Sequence, residues 1–90
     1  MNFEWDEAKR KSNLAKHGLD FADAHLAFNL PMFVVLDDRE SYEEARFQAI
    51  GLLYGNFTTL VFTEPADGTI RIISMRRATP QERKIYEREI

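Results

Sequence analysis

Residues 69–90 read TIRIISMRRATPQERKIYEREI, and the passage from strand to helix within them decides the fold. From Thr69 to Met75 the chain alternates as a strand does, with Ile70, Ile72 and Ser74 on one face and Arg71, Ile73 and Met75 on the other. By strand parity Arg76 joins the first set and Arg77 points the opposite way. A helix start follows at once: Thr79 suits the N-cap, Pro80 the first helical position, and Glu82 completes a capping box. Ile85 and Tyr86 then anchor the inner face of that last helix. Between Arg71 and Arg88 six basic residues face two acidic ones, although the whole chain carries a formal net charge of −3. Positive charge beside a helix start suits phosphate, which the free helical N–H groups also attract. The same residues also make an ordinary solvated strand end and an amphipathic helix, and charge alone does not separate the two.

Working back from this stretch, Ala66-Asp67-Gly68 is a hairpin turn that joins it to a strand over Phe57 to Glu64. Gly55-Asn56 is the turn before that. The preceding segment has helical propensity, but Ala45, Phe47 and Ala49 alternate with Arg46 and Gln48, so a strand with a polar or helical beginning near Glu43 is expected. The apolar run Met32 to Leu36 predicts a strand buried on both faces, closed by Asp37 and Asp38 in a solvated turn. At the N-terminus a short strand carries Phe3 and Trp5. Asp6 then caps a basic helix that ends at Gly18, and Asp20 caps a second helix, FADAHLAFNL, stopped by Pro31. The expected class is α+β: an antiparallel sheet packed with two N-terminal helices and one C-terminal helix.

Ninety residues make a single domain, 1–90, with a modest core. There is no cysteine, which removes disulfides and thiolate metal sites. No apolar run reaches transmembrane length or forms a signal-peptide core, so a cytoplasmic protein with no membrane partner is expected. The two histidines stand at 17 and 25, across a helix break, which is not metal-ligand spacing; neither metal nor cofactor is expected. No recognition helix stands out in this acidic chain, so direct DNA binding is not expected of it.

What remains suits phosphate chemistry without metal. Cleaving RNA through its 2′-hydroxyl needs a proton acceptor, a proton donor and cations for the charge that builds on phosphorus. Arg46, Arg76 and Arg77 can supply charge, and arginine's fork matches phosphate oxygens. Histidine as a residue type suits proton exchange, and His17 can serve so, with Lys16 beside it to hold phosphate. It equally serves as the last residue of a helix, stabilising its C-terminus. Tyr86 either stacks on or hydrogen-bonds the substrate, or belongs to the core.

Three segments together resemble the BrnT family of toxins from bacterial type II toxin–antitoxin systems. They are FEWDEAKRKSNLAKHGLDFADA at residues 3–24, the AR and FQAIG of residues 45–51, and IRIISMRRATPQERKIYE at residues 70–87. The resemblance covers essentially the whole chain. It implies a compact RelE-like fold and a metal-independent endoribonuclease that inhibits translation. It also implies a BrnA-like antitoxin that neutralises the toxin in a hetero-oligomer and brings the DNA-binding domain. By position it carries Lys16 and His17 in the KHG match, Arg46 before Ile50-Gly51, Arg76 in the I-S-x-R match, and Tyr86 near the end. A catalytic set of His17, Arg46 and Arg76 follows, with Lys16, Arg77 and Tyr86 binding substrate. The competing reading is a non-catalytic interaction module, or a decayed toxin that only binds its partner.

Overall fold

The computed structural model describes all 90 residues. In chain order it contains β1 (Asn2–Trp5), α1 (Glu7–His17), a 3-10 turn (Phe21–Asp23), α2 (Ala24–Phe28), β2 (Phe33–Asp37), β3 (Arg46–Leu53), β4 (Asn56–Ala66), β5 (Thr69–Arg77) and α3 (Pro80–Glu89). The five strands form one sheet in the order β1-β5-β4-β3-β2. Strands β2 to β5 are antiparallel neighbours, while β1 lies parallel to β5. No helix is long and apolar enough to cross a membrane.

Local chemistry accounts for most of the boundaries. The Asp6 carboxylate accepts from the Lys9 N–H at the start of α1, and Gly18 ends that helix with φ +70°, a left-handed conformation cheap only for glycine. Tyr54 and Gly55, both at positive φ, turn β3 into β4, and Gly68 does the same between β4 and β5. The capping box at α3 forms in full: Thr79 accepts from the Glu82 N–H, and Glu82 accepts from the Thr79 N–H.

One face of the sheet carries the core. Ala49, Leu53, Leu60, Phe62, Ile70, Ile72 and Met75 pack there beneath Phe21, Ala24 and Ala27, with Phe3, Phe28 and Phe47 at the margin. Gly51 belongs to the same face: a methyl group there would meet the Met32 Cγ at 2.9 Å. The opposite face holds Gln48, Ile50, Thr59, Val61 and Ser74. At one end α3 covers it, with Tyr86 edge-on to Phe57.

Three expectations are corrected. The second helix is not continuous over residues 21–30; it is a 3-10 turn capped by Asp20, then five residues of α-helix. Of the two beginnings expected near Glu43, polar or helical, the chain takes the polar one and bends into β3. The strand expected to be buried on both faces is the sheet's edge, with Val34, Val35 and Leu36 exposed by 44, 42 and 58%. Its buried residue is Asp37, which was expected in solvent.

Strand parity also fails within β5. Val61 pairs with Ser74 and Phe62 with Ile72, so Ile73 has no partner and bulges. Ile70, Ile72 and Met75 consequently share the core face, and Ser74 and Arg76 turn to the other. The Met75 N–H meets the Asn13 side chain of α1 at 3.2 Å, and the same side chain donates to the Leu19 carbonyl. Asn13 thus ties α1 to the bulge.

Candidate active site

The open face beyond α3 gathers the charge. Register places Asp37, Arg46 and Thr63 in one row across β2, β3 and β4, and Phe33, Ile50, Thr59 and Arg76 in another across β2 to β5. The two rows are four residues apart on β4, about 13 Å along a strand. Arg46 and Arg76 therefore face the same side at the two ends of this interval.

Arg76 is held firmly. Its Nη1 and Nη2 donate to the two oxygens of Glu82 at 2.7 and 2.9 Å, and Nη1 also reaches the Arg77 carbonyl. Glu82 accepts from the Thr59 hydroxyl and the Thr79 N–H as well. The Arg76 guanidinium, helped by these two donors against the cost of burial, pulls the Glu82 pKa down to about 2. Arg76 in turn is stabilised as a cation by Glu82. The residue read from the sequence as a helix cap thus also positions an arginine.

Arg46 is the freer of the two. It forms no salt bridge, and its guanidinium lies over the Tyr42 ring at 4.2 Å. Asp37, opposite it on β2, is instead gripped by Arg39: Nε and Nη2 donate to the two carboxylate oxygens, both at 2.7 Å. The Arg39 hydrogen bonds lower the Asp37 pKa against the effect of burial, and the charge of Arg46 adds to this.

His17 and Lys16 stand at the sheet's β5 edge. With Lys9, Ser12, Asn13, Ile73 and Ser74 they line a shallow depression of about 240 Å³. Ser74 belongs to the open face, so the depression adjoins the row that carries Arg76. No group of three or more histidine or acidic side chains is arranged to hold a metal ion.

Two residues expected at the substrate lie elsewhere. Arg77 pairs with Thr58 on the core-face parity and is exposed. It lines a separate depression of about 380 Å³ with Asn56, Phe57 and Arg83, whose guanidinium sits 4.7 Å over the Phe57 ring. Tyr86 is buried, and its hydroxyl donates to the Pro31 carbonyl at 2.9 Å, which joins α3 to the start of β2. Its ring and its hydroxyl are both spent within the protein. Sequence reasoning missed Arg39 and the second role of Glu82. The capping box was a visible signal for Glu82; for Arg39 the only signal was a carboxylate two residues before it at a strand end.

Comparison with known proteins bears on the family and the fold. The model of a family described as "Ribonuclease toxin, BrnT, of type II toxin-antitoxin system" matches residues 5–82. The crystal structure of the Brucella abortus ribonuclease toxin BrnT superposes with a TM-score of 0.72 at 39% sequence identity, covering 88% of this chain and 97% of that one. No curated protein sequence matches the chain.

Proposed function

Since this chain belongs to the BrnT family of ribonuclease toxins of type II toxin–antitoxin systems, we propose that it cleaves RNA on the open sheet face, without metal, and thereby inhibits translation. The observation that carries this reading is the placement of Arg46 and Arg76 on one face of the sheet, with His17 and Lys16 at its edge. Attack of the 2′-oxygen on the adjacent phosphorus forms a cyclic phosphate and breaks the bond to the 5′-oxygen. The 2′-hydroxyl proton must leave, and the departing 5′-oxygen must gain one. His17 exchanges a proton, Lys16 holds a flanking phosphate, and Arg46 and Arg76 offset the charge on the phosphorane oxygens. Glu82 keeps Arg76 in place.

The partners follow from the same membership. A type II toxin has an antitoxin partner; a BrnA-like protein that carries the DNA-binding domain fits that role. We take the fold as RelE-like and the site of action as the cytoplasm, where messenger RNA is translated. Expression of the chain alone under tight induction tests the proposal. Growth and translation stop, and purified protein cleaves RNA in the presence of EDTA. Arg46→Ala and Arg76→Ala, folded as judged by circular dichroism, each lose cleavage by about 10²-fold or more. Folded protein that leaves RNA intact at high concentration overturns the enzymatic reading in favour of an interaction module, and loss of cleavage in EDTA overturns metal independence.

A further inference from the structure

Beside Arg46 stands a third cation that the reaction as described leaves unused. Arg39 lies just past β2, in the segment leading to β3, and its side chain remains 65% exposed while that of Asp37 is 2% exposed. Such a pair is lopsided: the carboxylate is sunk into the protein and the guanidinium is carried at the surface. A buried carboxylate costs free energy that a single ion pair often fails to recover, so an apolar residue would end β2 more cheaply. What the carboxylate provides is aim. Two of the five guanidinium N–H groups, those on Nε and Nη2, are fixed on Asp37 in a bidentate grip, which orients the plane of the fork. The N–H groups of Nη1 and the second of Nη2 point away from Asp37, and the exposure of the side chain leaves them to solvent.

The direction of that aim follows from the register. Asp37 is the cross-strand neighbour of Arg46, so Arg39 is anchored at the Arg46 end of the open face. The charge of Arg39 opposes, at Arg76, the stabilisation supplied by Glu82. The carboxylates that grip Arg39 and Arg76, Asp37 and Glu82, are both already engaged by hydrogen bonds. Arg39 has no ion pair besides Asp37, so its outward N–H edge is what an anion can answer.

We propose that Arg39 is a third phosphate-contacting arginine of the RNA cleft, placed beside Arg46, and that Asp37 is its positioning residue. The inference rests on the ribonuclease reading and extends its substrate site by one contact. The fork fixed by Asp37 meets a backbone phosphate of single-stranded RNA through its outward N–H edge, while Arg46 and Arg76 serve the reacting phosphate and its neighbour.

The test compares purified wild type with Arg39→Ala, Arg39→Lys, Asp37→Asn and the double variant Asp37→Asn/Arg39→Ala. Cleavage of a short RNA gives kcat and KM, and anisotropy with a 2′-O-methyl version of the same RNA gives affinity against salt. Arg39→Ala weakens affinity and raises KM roughly tenfold with a smaller change in kcat. It also makes the slope of log affinity against log salt shallower by about 0.7, the value for one phosphate contact on a single strand. Arg39→Lys recovers the slope and only part of the affinity, because the charge returns without the fork. Asp37→Asn weakens affinity in the wild-type background and has no further effect once Arg39 is gone, as expected of a residue that acts through the other. In the double variant both partners are removed, so no buried carboxylate is left unpaired and folding does not confound the comparison. Wild-type cleavage with unchanged KM and salt slope in Arg39→Ala overturns the proposal and leaves the ribonuclease reading standing. Asp37→Asn effects that persist undiminished without Arg39 overturn the positioning role. Wild-type protein that neither binds nor cleaves RNA removes the ribonuclease reading, and this proposal with it.

Discussion

Glu82 serves at once as the third residue of the capping box, acceptor for the Thr59 hydroxyl and anchor for Arg76. Its side chain is 17% exposed, so solvent screens these interactions only in part. The consequence for stability has a definite sign. The folded pKa, about 2, lies below the ordinary 4.5. The stabilisation is therefore complete above about pH 4.5 and is lost as the pH falls toward 2. Asp37 and Asp20, both also depressed, contribute in the same acid range. Glu82→Gln should remove about 1–2 kcal/mol at neutral pH, and its stability should decline less steeply than wild type between pH 4.5 and 2. Urea unfolding at a series of pH values measures both effects. A variant that keeps the wild-type acid slope would assign that slope to other carboxylates.

At the scale of elements, what the chain makes legible is what local chemistry decides. The caps of α1 and α3, the Asp67-Gly68 turn and the strand character of residues 46–53 depend on residues close in sequence. What was not legible depends on neighbours across the sheet. Nothing in the composition of IRIISMRR marks Ile73 as the bulge; the pairing with β4 and the acceptor offered by Asn13 decide it. Likewise MFVVL has the apolar character of a central strand, yet its place at the edge is set by the order of pairing. The candidate site divides in the same way. Arg46 and Arg76 could be picked from sequence, whereas Arg39 acquires its place only when Asp37 is buried opposite Arg46. The bulge also makes a prediction about α1, a helix that buries none of its own residues. Asn13→Ala leaves the Met75 N–H without its acceptor and frees α1 from the sheet edge. A loss of about 1–3 kcal/mol is expected, read as a lowered urea midpoint with an unchanged m-value.

The molecule as a whole places its core on one face of the sheet and the proposed site on the other. Leu60 on β4 is fully buried in the core cluster, while its neighbour Thr59 faces Arg76 and Glu82. A five-stranded sheet permits this division because successive side chains point to opposite sides, so one strand serves both functions. The acidic net charge conceals the arrangement, since Arg46 has no ion pair and Arg39 and Arg76 are each fixed by one carboxylate on the same face. Two variants on adjacent strands should therefore separate the properties. Leu60→Ala leaves a cavity beneath α2 and should cost about 2–5 kcal/mol of stability. At a temperature where it is still folded, its RNA cleavage per folded molecule should remain within a few-fold of wild type. Arg46→Ala removes a side chain with no salt bridge to lose and should change stability by less than about 0.5 kcal/mol. Its cleavage should fall by about 10²-fold or more. Thermal melts and single-turnover cleavage on the same preparations measure both quantities. Equal loss of stability and cleavage in both variants would mean that the two faces are not independent, and that the open face needs the core's exact packing to hold its arginines in place.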